Sequence, residues 1–433
     1  MFDKIKKALW GELSSEDQKR FALLSLTFLF IIGTYWLMRP LKDGIFFKVV
    51  GGEWQPLAKI LSVCVLVPLV FFYSKLVDLV EKQKLFYIIC SFFSIFFIGV
   101  SFALQHPSIG LANTVTSPDR LLGWFVYLGI ESFGTLMVAL FWSFVISSSE
   151  TDSAKKGYPL IIAGAQIGSL LGPTIATQAE SLGMSTLTFI VAGGIAIVPF
   201  LVKYFITVFP SAAEKKSEKS TKSTGMIEGL KLLLSRKYLL GILGVATLYE
   251  VIGTILDYQM KMIANQEYAD AAGVTKFLGF FGQATNGLAL VFALVGTSFL
   301  IRRYGLTFCL VAFPVAVGLV VGNVLIFPSL WVLFIAMVAI KGLSYALNNP
   351  CKEIMYIPTS KDAKFKAKGW IDMFGGRTAK ATGSGINFMF TSLSALLFYG
   401  SILSLGIVVV WGFIALYLGR ENKKLVEAGT IVS

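Results

Sequence analysis

Histidine and cysteine are scarce in this chain of 433 residues, which contains one histidine, His106, and four cysteines. The cysteines all fall in apolar stretches without a CxxC pair, at Cys64, Cys90, Cys309 and Cys351. This pattern argues against a disulfide framework and against a zinc site. A single histidine without a paired nucleophile gives hydrolytic or metal chemistry little to act with. We therefore predict neither an enzyme nor a bound metal or cofactor.

A GxxxxGKS phosphate loop is also missing, so the sequence does not indicate an ATP-driven pump. Any transport must then draw its energy from gradients or from exchange. Charged residues are few as well, at 15%, whereas 55% of the residues are hydrophobic. Soluble domains are about 45–50% apolar. Because long apolar runs recur from end to end, we predict a polytopic membrane protein.

Twelve apolar segments reach the length of about 20 residues that a membrane-spanning helix needs. They lie near residues 18–42, 54–79, 84–105, 119–148, 157–179, 185–208, 238–264, 275–300, 305–327, 330–357, 367–398 and 400–419. The longest polar run, SAAEKKSEKSTKSTG, separates the sixth segment from the seventh. We predict an all-α protein with a six-helix bundle over 1–209, a cytoplasmic linker over 210–237 and a second six-helix bundle over 238–433. Ser14 or Ser15 is expected to cap the first long helix, with Glu16 and Asp17 in its first turn.

An internal repeat supports this division into two halves. When the chain is shifted by roughly 210 residues, Asp43 falls near Asp257, and apolar spans that close on basic turns fall on one another. Two six-helix halves related by duplication are the layout of major-facilitator transporters, whose substrate site lies at mid-membrane between the halves. We therefore predict a major-facilitator-like fold.

Basic residues give the chain a net charge of +13 and concentrate in alternate loops. Because cytoplasmic loops carry the excess of Lys and Arg, we predict that both termini are cytoplasmic in a protein of the cell inner membrane. The same rule makes the charge weak evidence for a nucleic-acid partner, and we predict none. The lipid bilayer is a predicted partner, and a monomer is expected because the fold needs no second subunit.

Charged residues inside the predicted spans are the candidate functional residues. A charge in hydrocarbon costs about 2.5–3.5 kcal/mol on insertion scales, so such residues usually face a bundle interior or a wet cavity. Span 1 ends with Arg39, Lys42 and Asp43, and Tyr35 shares a helix face with Arg39. Pro40 frees nearby backbone carbonyls, which suits a site that lines a cavity. The alternative is that these charges lie at the outer membrane interface.

Two further spans each carry a carboxylate among apolar residues. Span 4 contains Glu131, with Thr135 one turn later, and span 7 contains Glu250, with Asp257 on the same stripe. Because Glu250 sits well inside an apolar run, we predict that it is buried. The alternative for each acid is a structural hydrogen bond or ion pair between helices.

Spans 10 and 11 each present a polar stripe. In span 10 the stripe follows i, i+3, i+4, i+7 and i+11 and consists of Lys341, Ser344, Tyr345, Asn348 and Lys352. In span 11 it consists of Arg377, Lys380, Ser384 and Asn387. Pro350 is expected to kink span 10 near Ala346. Because bases cluster in spans 1, 10 and 11, a phosphorylated substrate is predicted.

The predicted site therefore combines bases with balancing acids. The predicted substrate-binding residues are Arg39, Lys42, Glu131, Glu250, Lys341, Asn348, Lys352, Arg377 and Lys380. The predicted gating or pairing residues are Asp43, Asp257, Glu353 and Asp372.

The segment NPCKEIMYIPTSKDAKFKAKGWIDMFGGRTAKATGS, from Asn349 on, resembles a signature of the ATP/ADP translocase family of plastids and intracellular bacteria. That signature reads NPxKExxYIPTSxDxKxKAKxxIDxFGxRxxKxxGS. Weaker likenesses extend over most of the chain, including RPLKD in span 1. The resemblance implies that the transport residues of the family correspond to Lys42, Glu131, Glu250 and Lys352. In span 7 the family often reads EVTWK, whereas this chain reads EVIGTILDYQMK.

The resemblance implies an ATP/ADP or other NTP/NDP antiporter that works by alternating access. In this hypothesis Lys42, Lys352 and Arg377 hold phosphates, while Glu131 and Glu250 pair with bases in the empty site or contact the base or ribose. One alternative is a proton-coupled symporter of nucleotides or another anionic solute, with a glutamate as proton carrier. Another is a membrane scaffold or receptor that kept the fold and lost transport.

Overall fold

The computed structural model of the protein describes residues 14–148, 151–210, 226–295, 298–360, 363 and 367–431, and these residues are mainly helical. Numbered in chain order, the α-helices are α1 (Ser15–Val49), α2 (Gln55–Leu79), α3 (Lys82–Gln105), α4 (Leu121–Ser148), α5 (Thr151–Ala176), α6 (Ala179–Leu182), α7 (Met184–Val208), α8 (Met226–Ser235), α9 (Lys237–Glu267), α10 (Ala271–Val295), α11 (Ser298–Tyr304), α12 (Leu306–Ile326), α13 (Leu330–Leu343), α14 (Asn349–Met355), α15 (Lys368–Trp370), α16 (Gly376–Phe388) and α17 (Leu393–Glu427). Two π-helical turns, Ser344–Asn348 and Ile371–Gly375, precede α14 and α16.

Ten helical segments among the described residues are long and apolar enough to cross a membrane. The predicted spans 275–300 and 367–398 are not among them. The second of these is interrupted, because α16 ends at Phe388 and α17 already begins at Leu393. The side chain of Ser392 caps α17 by accepting the backbone N–H of Ala395 at 3.2 Å. The predicted boundary between the last two spans, at 398–400, was therefore wrong and lies instead at 389–392.

Helix α1 begins as predicted and runs further than predicted. The side chain of Ser14 accepts the backbone N–H of Asp17 at 3.0 Å, so Ser14 is the N-cap. Pro40 lies inside the helix and does not end it, and the helix continues to Val49 rather than stopping near residue 42. As a result, the charged residues at the end of predicted span 1 lie on regular helix.

The chain divides into two compact units, one comprising Met1–Lys219 and Tyr268–Asn286, the other Ser220–Glu267 and Gly287–Ser433. In unit one, α1 packs along α5 and against α4 and α7, while α3 packs against α7. In unit two, α17 packs against α12 and α9, and α9 also packs against α16. Most of the predicted linker 210–237 lies outside the described residues, and its last part forms α8.

A stripe of small residues brings α1 and α5 into close contact in unit one. Gly164, Gly168 and Gly172 are spaced four residues apart on α5 and face the backbone of α1. A Cβ atom on Gly168 would lie 2.5 Å from the carbonyl oxygen of Leu29, and one on Gly172 would overlap the carbonyl oxygen of Gly33. Small residues at this spacing let helices in a membrane approach closely and gain van der Waals contact.

We expect Gly172→Ala to lower the free energy of unfolding by about 1–3 kcal/mol, because the added methyl group forces α1 and α5 apart. The measurement is thermal or chemical unfolding of the purified protein in detergent. Gly99→Ala is the matched control, since a Cβ on Gly99 of α3 would meet no atom within 4 Å. Equal stability of the two variants would contradict the assigned role of the glycine stripe.

Arg120 organises the segment between α3 and α4. Its guanidinium donates hydrogen bonds to four backbone carbonyl oxygens, those of Ile109, Gly110, Asn113 and Val115, at 3.0, 2.5, 3.0 and 2.8 Å. Partial burial lowers the pKa of Arg120, but an arginine stays protonated in proteins. One side chain thus satisfies carbonyls from several turns of a segment that has little regular structure.

Arg120→Lys is expected to loosen this segment, because an ammonium group lacks the planar fork that reaches four carbonyls. Each charge-assisted hydrogen bond contributes about 1.5–3 kcal/mol. Limited proteolysis should therefore cut the variant between residues 106 and 120 faster than the wild type, while the helices stay resistant. An unchanged cleavage rate would show that Arg120 does not hold the segment in place.

Candidate functional site

The charges of unit one centre on an ion pair between α1 and α4. The ammonium nitrogen of Lys42 lies 2.5 Å from Oε1 of Glu131. The Lys42 side chain is 8% exposed and that of Glu131 is 26% exposed. In such a buried pair, each charge depends on the other for compensation, because removing one partner leaves the other charge desolvated.

The ammonium group of Lys42 has a second partner, the aromatic ring of Tyr127. Its nitrogen lies 4.4 Å from the ring centroid, within the range of a cation–π interaction. Tyr127 precedes Glu131 by one turn of α4, so ring and carboxylate reach the same lysine. Sequence reasoning missed Tyr127. The available signal was the spacing of four residues between this aromatic residue and a carboxylate inside an apolar span.

The neighbouring residues of α1 complete this group. The guanidinium of Arg39 lies 4.5 Å from the ring centroid of Trp36. Asp43 is 3% exposed and Lys42 is 7% exposed over the whole residue. Both residues are therefore packed inside unit one and are not exposed at its surface. The ring of Tyr35 lies so close to Gly134 of α4 that a Cβ there would overlap it.

In unit two, α9 carries two of the predicted acids. Glu250 lies 3.5 Å from the ammonium group of Lys380 on α16, and their side chains are 32% and 50% exposed. The predicted burial of Glu250 is therefore only partial. Asp257, on the same helix, lies 2.7 Å from Lys261 one turn later. Both side chains are largely buried.

Two ion pairs connect α14 to the segment around α15. Lys352 lies 2.8 Å from Asp372, and their side chains are 23% and 39% exposed. Glu353, the next residue, lies 2.6 Å from Lys368. The ammonium group of Lys368 also lies 5.4 Å from the ring centroid of Tyr356. The adjacent residues Lys352 and Glu353 of α14 thus each pair with a residue of the opposite charge in the segment around α15.

The polar stripe predicted for span 10 is not continuous, so that prediction was wrong. A π-helical turn at Ser344–Asn348 changes the register between Lys341 and Lys352. Ser344 and Asn348 are buried, whereas Tyr345 is 46% exposed and Lys341 is half-buried. The π turn coincides with the kink predicted near Ala346, because Pro350 offers no N–H to the carbonyl group four residues earlier.

The stripe predicted for span 11 divides into two parts. Arg377 and Lys380 are exposed, whereas Ser384 and Asn387 are buried. The side-chain amide of Asn387 donates to the carbonyl oxygen of Thr254 on α9 at 3.3 Å. Ser384 and Asn387 therefore lie at a helix contact within unit two, and the two bases lie on the accessible part of α16.

One family model matches most of the chain. A sequence model described as TLC ATP/ADP transporter matches residues 1–113, 124–335 and 329–422. Residues 361, 362 and 364–366, inside the segment that carries the predicted signature, lie outside the described residues.

Curated relatives match most of the chain. The ADP,ATP carrier protein 2 of Arabidopsis thaliana chloroplasts is 26% identical over 91% of this chain and 73% of its own length. The ADP,ATP carrier protein 1 of Rickettsia bellii is 23% identical over 98% of this chain and 97% of its own length. That of Chlamydia muridarum is 26% identical over 95% of this chain and 89% of its own length.

Solved transporter structures share the fold at low sequence identity. The nucleoside transporter NupG covers 94% of this chain and 99% of its own, with a TM-score of 0.65 and 14% identity. A bacterial homologue of the iron transporter ferroportin, in an inward-facing state, covers 94% of this chain and 100% of its own, with a TM-score of 0.66 and 13% identity. These likenesses confirm the predicted all-α, major-facilitator-like fold.

Proposed function

This chain belongs to the TLC ATP/ADP transporter family, and we propose on that premise that it exchanges ATP for ADP across a membrane by alternating access. The family predicted from the segment after Asn348 is thereby confirmed. The protein is a transporter and not an enzyme. Its many apolar helices make it an integral membrane protein.

The observation that carries the site proposal is the pairing of bases with carboxylates. Lys42 pairs with Glu131 in unit one, and Lys352 with Asp372 and Lys380 with Glu250 in unit two. Phosphate oxygens of a nucleotide are the chemical equivalent of these carboxylates. We propose that nucleotide phosphates replace the carboxylates as partners of these bases, so that each base remains paired with an anion.

Other predicted residues take supporting roles in this proposal. Arg39, Lys341 and Arg377 add positive charge, and Asn348 contributes an amide. Asp43, Asp257 and Glu353 act as gating or pairing acids, since Asp257 and Glu353 each form an ion pair. The base and ribose of the nucleotide would contact Glu131 or Glu250 after these acids release their lysines.

We also propose the location of the protein and its state of assembly. The excess of Lys and Arg in alternate loops supports the cell inner membrane with both termini cytoplasmic. A monomer is proposed, because each unit has its own buried core. Proton-coupled symport is not favoured, because the family and the curated relatives are described as ATP/ADP transporters and ADP,ATP carriers.

The decisive experiment is uptake of labelled ATP into proteoliposomes that contain the purified protein. Vesicles loaded with ADP should take up ATP, whereas vesicles loaded with buffer or with AMP should not. Uptake into buffer-loaded vesicles that follows a pH gradient would replace exchange with symport. Absence of uptake under all conditions would overturn the proposed substrate.

A further inference from the structure

Two of the groups around the Lys42 ammonium group differ in kind. Glu131 offers a charged carboxylate oxygen at 2.5 Å, and Tyr127 offers the neutral face of an aromatic ring, whose centroid lies 4.4 Å from the ammonium nitrogen. A carboxylate competes with a phosphate for the same lysine, because both are anions. A ring face does not compete, because its attraction for a cation comes from its quadrupole and leaves the ring without net charge.

We propose that Tyr127 is a positioning residue that keeps the Lys42 ammonium group in place while its anionic partner changes from Glu131 to a nucleotide phosphate. This inference rests on the proposed function. The carboxylate is the exchangeable partner of Lys42, and the ring is the constant one. A buried ammonium group that has left its carboxylate would otherwise be desolvated and free to swing away from the arriving phosphate.

The surroundings of Tyr127 hold its ring in a fixed orientation. Tyr127 is 0% exposed. Phe46 follows Lys42 by one turn of α1, and its ring meets that of Tyr127 at a centroid distance of 5.2 Å and an interplanar angle of 63°. The ring of Trp124, one turn before Tyr127 on α4, contacts the Phe46 ring edge-on at a centroid distance of 5.2 Å. The Tyr127 ring is thus enclosed by packed side chains and presents its face to the Lys42 ammonium group.

The test separates the ring face from the hydroxyl group and from simple volume. Tyr127→Phe keeps the aromatic face and should leave the KM for ATP within about twofold of wild type. Tyr127→Leu removes the face and should raise the KM about tenfold, the equivalent of about 1.4 kcal/mol, with a smaller effect on kcat. Equal KM values for Tyr127→Leu and Tyr127→Phe would overturn the proposal.

A series of fluorinated phenylalanines at position 127 keeps the result interpretable if Tyr127→Leu folds poorly. Fluorine withdraws electrons from the ring face at nearly constant volume, so the KM for ATP should rise stepwise with each fluorine. The same series at Phe133 is the control, because Phe133 is 0% exposed on the same helix and its ring contacts Phe93 rather than a cation. If the KM for ATP stays constant across the fluorinated variants at position 127, Tyr127 only fills space.

A stability measurement distinguishes failure of this inference from failure of the proposed function. In nucleotide-free protein, fluorination at position 127 should lower the unfolding temperature when Lys42 is present. The same fluorination should leave the unfolding temperature of the Lys42→Met variant unchanged. If the wild type exchanges nucleotides and fluorination at position 127 does not change the KM for ATP, only the positioning role is overturned. If wild type does not exchange nucleotides but the stability coupling is present, the proposed function fails and the ring still positions Lys42.

Discussion

Lys42→Ala is expected to abolish ATP/ADP exchange, with a fall of at least about 100-fold, equivalent to about 2.7 kcal/mol. The same change should lower the free energy of unfolding by about 3–5 kcal/mol, because it removes the nearest counter-charge of the Glu131 carboxylate inside unit one. Exchange is measured in proteoliposomes, and stability by chemical unfolding in detergent. Both effects follow from the 2.5 Å contact between two largely buried side chains.

The double variant Lys42→Ala with Glu131→Ala separates the two effects. It removes both charges, so most of the lost stability should return, whereas exchange should stay absent because no base is left for the phosphate. Lys276→Ala is the matched control, since Lys276 also forms an ion pair in unit one, 2.6 Å from Glu180, but both side chains are exposed. Near-normal exchange by Lys42→Ala would remove Lys42 from the proposed site.

Lys352→Ala is expected to reduce exchange about 10- to 100-fold while changing stability by less than about 1 kcal/mol. A charge-assisted hydrogen bond to an anion contributes about 1.5–3 kcal/mol. The pair of Lys352 with Asp372 is partly exposed, at 23% and 39%, and exposed pairs contribute about 0–1 kcal/mol to stability. The loss should therefore arise from weaker phosphate binding and not from unfolding.

Lys423→Ala is the control for this second variant, because Lys423 forms an exposed ion pair with Glu427 near the end of α17. Its exchange rate and its stability should both match wild type. Lys352→Arg is informative as well, since it keeps the charge and should retain part of the activity. A Lys352→Ala protein that exchanges normally would show that the phosphate does not contact Lys352.

Several features of the site could be predicted from sequence because a charge inside an apolar run is conspicuous. Lys42, Glu131, Glu250 and Lys352 were identified in this way, and their mutual contacts were not. Lys42 and Glu131 are 89 residues apart, so their contact depends on how α1 packs against α4. Tyr127 was missed for a different reason: aromatic residues make up 14% of the chain, so its spacing of four residues from Glu131 did not stand out among the many aromatic residues of the spans.

Local backbone features set another limit on prediction. The stripe from Lys341 to Lys352 assumed 3.6 residues per turn throughout, and the π-helical turn in between changes that register. The boundary between the last two spans was predicted wrongly because the break at 389–392 contains no charged residue, glycine or proline. The available signal was Ser392, whose side chain accepts the backbone N–H of Ala395 and so caps α17.

The contrast between the two lysine pairs has a consequence for how relatives of this protein diverge. The free energy of unfolding of a folded protein is roughly 5–15 kcal/mol. A substitution of Lys42 or Glu131 alone removes a large part of it, so the pair can be replaced only when both residues change together. Lineages that stop transporting nucleotides would lose the pair only through such paired changes, because either single change destabilises the fold. Lys352 has no such protection, since its loss hardly affects folding. The presence of a lysine at that position is therefore the better sign that a distant relative still transports.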